Sequence, residues 1–177
     1  MNESHAGEKP KKILYASDKP YPAIQIERQN PSYARAMLDN MGGRNSEMTA
    51  ISLYVYNGLI SECEPALSEA FQKISMVEMH HLRIFGRLAF ALGENPRLWG
   101  IQGAHKVYWS PGYNQYPSQL KPLLLNAIRG EQEAIQKYEK QIKSIYDECI
   151  QNILRRILLD EEIHLTIYKK LYDTYIR

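Results

Sequence analysis

EMTAISLY, residues 47–54, and EQEAIQKY, residues 131–138, share the pattern Glu-x-x-Ala-Ile-x-x-Tyr, and each leads to a second short pattern, Glu-x-x-His: Glu78 with His81, and Glu161 with His164. The step from first Glu to second is 31 residues (78 − 47) in one copy and 30 (161 − 131) in the other. Residues i and i+3 share one face of an α-helix, so each Glu and His point the same way. One Glu-x-x-His pair reads as a solvated helix surface. Two copies, each matched to a Glu on the preceding helix, match the ligand set of a two-metal site in a four-helix bundle.

Turn positions support the pairing. In an antiparallel helix pair, residues equidistant from the turn lie at the same height. The midpoint of Glu47 and Glu78 falls between residues 62 and 63, just ahead of Pro65; that of Glu131 and Glu161 falls at residue 146, beside Asp147. Both Glu pairs are therefore level, roughly 20 Å from their turns at ~1.5 Å per residue. Punctuation residues agree. Asn30-Pro31 opens a short helix closed by Gly42-Gly43, Asn45 or Ser46 caps a helix from Glu47, and Pro65 starts one that runs to about Leu92. A further helix begins near Ser118, with Pro122 in its first turn, and Ser144 or Asp147 caps the last.

Residues 1–29, with Pro10, Pro20 and Pro22, read as an extended arm against the body. Residues 93–117 are rich in Gly, Pro, Trp and Tyr and have no helical period. A loop of this length is uncommon unless it covers something, and it can run the height of the bundle. Trp99, Tyr108 and Trp109 then pack on the bundle surface rather than gate a substrate. The predicted fold is all-α: a four-helix bundle with one long crossover between helices two and three, preceded by an extended arm and a short helix. Residues 1–44 form the arm and short helix, and residues 45–177 the bundle domain.

With 22 basic and 20 acidic residues in 177, no general field draws the chain to nucleic acid or an anionic membrane. The run from Lys9 to Lys12 reads as a solvated basic tail. Cys63 and Cys149 form no C-x-x-C pair, which excludes a zinc ribbon or rubredoxin-type iron site in this chain; they read as small buried side chains near the helix turns. No apolar run approaches the ~20 residues that span a bilayer, and the N-terminus lacks a signal-peptide core. A cytoplasmic protein is expected.

Apolar neighbours (Met76, Val77, Ile84 and Phe85; Ile157, Leu158, Ile163 and Ile167) predict that both Glu-x-x-His motifs are buried. Four buried carboxylates need compensation. Two divalent cations supply it, because four Glu and neutral His then give a formally neutral site. Without cations the carboxylates repel, and their pKa values should rise. Glu47 and Glu131 are assigned as ligands from the first and third bundle helices, Glu78 and Glu161 as carboxylates able to bridge, and His81 and His164 as terminal nitrogen ligands. The mixed oxygen and nitrogen set suits Mn, Fe and Co. Glu133 lies about 200° around the helix from Glu131 and points away. Glu162 faces a neighbouring helix or solvent, and His80 is a packed or outer His. Tyr54 and Tyr138 share the faces of Glu47 and Glu131, where they either pack in the core or hydrogen-bond to a ligand carboxylate.

From Asn45-Ser46-Glu47 through Asp160-Glu161-Glu162-Ile163-His164, residues 45–174, the chain resembles the ferritin-like superfamily, and within it the rubrerythrin and manganese-catalase branches. The stretch from Asn30-Pro31 to Glu47 is similar to the lead-in of manganese-catalase-like spore-coat proteins, which adds spore association as a possible location. The resemblance implies two Fe or two Mn ions per chain acting on hydrogen peroxide or dioxygen; an external electron donor in the peroxidase case and a homodimer through bundle faces are expected beside it. Two features depart from it. Rubrerythrins proper carry a Cys₄ iron domain that this chain lacks, and in manganese catalases the Glu matching Glu161 is not a direct ligand. The alternatives to peroxide consumption are Fe(II) oxidation with iron binding, and a structural coat role, to which the 13 tyrosines also point.

Overall fold

A computed structural model describes residues 13–176; the Lys9 to Lys12 run lies outside them. Five helices follow in order: α1 (Pro31–Gly42), α2 (Glu47–Ile60), α3 (Pro65–Ala91), α4 (Leu120–Ser144) and α5 (Glu148–Ile176). The starts of α1, α2 and α5 are capped by side chains that the sequence offers for the role. The Asn30 side chain accepts from the backbone N–H groups of Ser32 and Tyr33, Ser46 accepts from Thr49 N–H, and Asp147 Oδ1 accepts from Ile150 N–H. Each bond satisfies an amide that the helix itself leaves unpaired.

Helices α2 and α3 form one hairpin, α4 and α5 the other. The crossover between them climbs α2 rung by rung. Trp109 Nε1 donates to Thr49 Oγ1 (3.0 Å), Asn114 Nδ2 donates to Ser52 Oγ, and the Tyr116 ring meets that of Tyr56 edge-on. The chain is thereby carried from the end of α3 back to the level of its start, so α4 runs parallel to α3. The expected full-height crossover is present.

Its first half differs from the expected irregular loop. Trp99–Gln102 (β1) and His105–Tyr108 (β2) pair as an antiparallel hairpin with Trp99 opposite Tyr108. The connection is two residues long and begins at Gly103 with φ +58°, the position where such turns favour Gly. This hairpin lies on the C-terminal end of α1, backbone against backbone. A Cβ on Gly100 would sit 2.5 Å from Gly43 Cα, and one on Gly42 would sit 2.7 Å from Trp99 N. Gly43 has φ −70°, so the Gly42-Gly43 pair serves close approach, not a left-handed helix end.

The core divides in two. One apolar cluster joins α1, the C-terminal half of α3 (Phe85, Leu88) and the α4–α5 turn (Ile145, Ile150); the other joins the start of α3 (Leu67, Phe71), the start of α4 (Leu123, Leu124) and Tyr168. The polar motifs occupy the layer between. Ile84, Phe85 and Ile157 are buried as expected, but Met76 is 54% exposed, because it sits two positions before Glu78 and turns to the opposite side of α3. Cys63 is exposed on the α2–α3 turn rather than buried, and Cys149 is half-buried.

The glycine contact yields a test. Gly100→Ala should cost about 1–3 kcal/mol in chemical denaturation, because the added methyl overpacks two backbones. Gly103→Ala, where the new methyl meets open space but the backbone sits at φ +58°, should cost about 1–2 kcal/mol through backbone strain alone.

Candidate metal centre

At mid-height, α2 supplies Glu47, α3 Glu78 and His81, α4 Glu131, and α5 Glu161 and His164. All six are at most 3% exposed. Their donor atoms form two overlapping groups: Glu47, Glu78, His81 and Glu161 in one, and Glu78, Glu131, Glu161 and His164 in the other, with the atoms of each group within 4.8 Å of one another. Glu78 and Glu161 belong to both. Glu78 turns Oε2 toward His81 Nδ1 and Oε1 toward His164 Nδ1, each at 2.9 Å. Glu161 likewise turns Oε1 to His81 Nδ1 (3.2 Å) and Oε2 to His164 Nδ1 (3.5 Å). Each shared carboxylate thus straddles the two halves with one oxygen apiece.

The inner contacts obey a two-fold relation between the hairpins. Tyr54 on α2 donates to Glu131 Oε1 on α4 (2.5 Å), and Tyr138 on α4 donates to Glu47 Oε1 on α2. Of the two roles the sequence left open for these tyrosines, both are filled: each ring is buried, and each hydroxyl holds a carboxylate of the cluster. A cavity of about 60 Å³ reaches the four carboxylates between α2 and α4, past Ala50, Gly130 and Ala134. Glu133 and Glu162 lie outside the cluster on exposed surface, where Glu133 accepts from Asn45 Nδ2. His80 is exposed and rests its ring 4.6 Å from that of Tyr21.

Protonation in this layer is set by burial and by the imidazoles. Burial raises the carboxyl pKa values of Glu47 and Glu131, and neighbouring carboxylates raise them further; Glu131 is pushed up to about 7. Burial acts the same way on Glu78 and Glu161, but the facing imidazoles override it and hold both below the usual carboxylate range. Burial opposes protonation of His81 and His164, yet their carboxylate partners raise both well above the ordinary imidazole value. Repulsion was expected to raise all four carboxyls. It raises two, because the other two lie against the imidazoles.

A second set of groups lies behind the two histidines. His81 Nε2 is 3.1 Å from Asp160 Oδ2 and 3.1 Å from the Tyr21 hydroxyl, which itself donates to Asp160. His164 Nε2 is 3.0 Å from the Tyr15 carbonyl oxygen. Burial opposes ionisation of Asp160, but hydrogen bonds from His81, Tyr21, Arg156 and Ser17 N–H keep its carboxyl below its ordinary range. Burial pushes the Tyr21 hydroxyl up to about 12, so it remains a donor. Asp160 and Arg156 were legible as a charged i, i+4 pair interrupting an apolar run on α5. Tyr15 and Tyr21 had no signal beyond the expectation that the arm lies on the body.

The rubrerythrin family pattern matches residues 44–172. A relative from Clostridium acetobutylicum, described as a probable manganese catalase, is 24% identical over 165 residues, covering 83% of this chain and 73% of the relative. Among solved structures, KatB, a manganese catalase from Anabaena PCC7120, superposes with a TM-score of 0.80 at 24% identity, covering 92% of this chain and 80% of that one; a wild-type KatB structure gives the same values. These superpositions show the shared helical fold. With the family pattern covering most of its length, the chain belongs to the rubrerythrin family.

Proposed function

We propose that this protein holds two redox-active divalent ions, manganese or iron, between its bundle helices and consumes hydrogen peroxide there. The observation that carries the reading is the overlap of two donor sets, each of three carboxylates and one imidazole, with Glu78 and Glu161 common to both. The residues fit such ions. Glu78 Oε1, Glu161 Oε1 and His164 Nδ1 are buried at ion-pair distances from the facing imidazoles and carboxylates but make no aligned hydrogen bond, a costly state that a cation relieves. Two divalent ions also offset four carboxylates, and the donor set suits manganese and iron alike. One ion would take Glu47, Glu78, His81 and Glu161, and the other Glu78, Glu131, Glu161 and His164. The manganese-catalase names of the relatives support the same chemistry.

Two adjacent ions that each change charge by one would supply the two-electron exchange that peroxide dismutation to dioxygen and water requires. The chain's own residues prepare the place for it. Tyr54 and Tyr138 fix the orientation of Glu131 and Glu47, the carboxylates bordering the α2–α4 cavity. Small side chains at Ala50 and Ala134, with Gly130, leave a passage of about 60 Å³, suited to a molecule near the size of water. The apolar clusters above and below exclude bulk solvent.

Replacing His81 or Glu131 with Ala should remove at least one of two bound ions in elemental analysis, whereas Glu133→Ala and Glu162→Ala should leave both. Equal loss from Glu131→Ala and Glu133→Ala would place the site on another helix face.

Chelator-treated protein should lose stability as pH rises. His81 and His164 keep protons in the folded chain that the unfolded chain releases at the ordinary imidazole pKa. Their contribution is full below that value and is lost as pH climbs through the raised folded pKa values. Glu131 acts in the same sense, full below 4.5 and gone above about 7, and Glu47 follows the same direction. Glu78 and Glu161 act oppositely, losing their contribution only as pH falls through their depressed values. Urea midpoints should therefore decline from mildly acid pH into the alkaline range without metal, and bound metal should flatten the decline. Parallel curves would count against a buried carboxylate site.

Activity separates the candidate reactions. The manganese-loaded protein should release oxygen from hydrogen peroxide unaided, because dismutation needs no donor. The iron-loaded protein should consume peroxide only with an added reductant, since this chain carries no Cys₄ iron site. If neither form outpaces His81→Ala, iron oxidation or a structural role takes the place of the enzyme reading.

A further inference from the structure

The hairpin repeat leaves the two histidines unequally supported. His81 on α3 is backed by Asp160, the residue immediately before Glu161 on α5. The equivalent residue before Glu78 on α3 is Val77, whose side chain has no acceptor to offer His164. The bundle alone therefore supplies an outer partner for one imidazole and not for the other. The Tyr15 carbonyl of the N-terminal arm fills that place, and the same arm brings Tyr21 to the Asp160–His81 pair.

A carbonyl oxygen only accepts, so the Nε2 atom of His164 facing it carries the proton. Asp160 accepts a hydrogen bond from the Tyr21 hydroxyl, which leaves only acceptor oxygens facing His81 Nε2, so that atom also donates outward. In the neutral imidazole this leaves the Nδ1 lone pair of each ring directed at the carboxylates, where a metal ligand needs it.

Beyond the histidine contacts, the arm is held by Arg156 and its ion-pair partner Asp160. Arg156 Nε donates to the Lys19 carbonyl (2.7 Å) and Nη2 to the Ser17 carbonyl (2.8 Å), while Nη1 lies 2.7 Å from Asp160 Oδ1. Its guanidinium covers the Tyr21 ring at 4.0 Å, and Ser17 N–H donates to Asp160 Oδ1 (2.7 Å). Arg156 touches neither histidine, and its hold on His164 runs entirely through the arm.

We propose that residues 15–21 act as a clasp, tethered by Arg156, that positions both imidazoles and thereby sets how tightly the centre holds its metal. The clasp rests on the dinuclear reading above. By linkage, if arm docking strengthens metal binding, metal binding must strengthen arm docking by the same factor.

The test uses the full-length protein and Mn(II), with Arg156→Lys and Tyr21→Phe. Lysine keeps a charge beside Asp160 but cannot reach both carbonyls; phenylalanine removes only the hydroxyl. Mn(II) affinity is measured by chelator competition, and exchange of the Ser17 amide with and without Mn(II). Arg156→Lys should weaken Mn(II) binding about 10–100-fold, the usual cost of losing a ligand's outer partners. Tyr21→Phe, which spares His164, should weaken it less. In the parent protein Mn(II) should slow Ser17 exchange, a coupling that a merely structural tether would not produce. If Arg156→Lys does not fold, the Tyr21→Phe affinity and the parent exchange data decide. Unchanged affinity in the folded variants, or Ser17 exchange indifferent to Mn(II), would overturn the clasp while leaving the dinuclear reading intact. A parent protein that binds neither Mn(II) nor Fe(II) would overturn both.

Discussion

Everything in this bundle is arranged around a buried layer of four carboxylates and two imidazoles, each at most 3% exposed. Such a layer carries a large desolvation cost unless every charge is matched. The apolar core cannot run through it and is split into clusters above and below. The carboxylates divide into two that accept from tyrosine hydroxyls and two that straddle the imidazoles. The same division separates their pKa values, with Glu47 and Glu131 raised and Glu78 and Glu161 lowered. One constraint, the matching of buried charge, thus sets both the packing and the protonation pattern.

The site has two unlike sides. Toward α2 and α4 it follows the two-fold relation between hairpins, with crossed tyrosine–glutamate bonds and small residues that leave a narrow passage. Toward α3 and α5 the relation breaks, because Asp160 and Val77 occupy matching positions. There the arm lies across both histidines. On the proposed dinuclear reading, a passage on one side and a closed back on the other would admit a small substrate without loosening the ions.

The surrounding elements serve the same layer. Glu47 is the first residue of α2, so its height depends on the connection from α1. Lys137 on α4 pins that connection through the Asp39 and Asn45 carbonyls, while Ser46 caps the helix. The β-hairpin locks onto Gly42 and Gly43 just upstream. The crossover then binds the outer side of α2 at Thr49, Ser52 and Tyr56.

By itself the sequence determined the bundle, the level of its two Glu pairs and the six residues brought together at mid-height. Helical periodicity and turn position are local properties, and the repeat states them twice. Caps at Asn30, Ser46 and Asp147 were legible for the same reason. Tertiary structure alone decided three further matters. The β-hairpin within the crossover depends on close approach to Gly42-Gly43, a contact between segments far apart in sequence. Tyr54 and Tyr138 bond across hairpins rather than within them, which no spacing along one helix reveals. Tyr15 and Tyr21 reach the histidines from an arm without periodicity, and Tyr15 does so through a backbone carbonyl that every residue possesses. No side-chain pattern can announce a backbone group; only the folded chain shows where it falls.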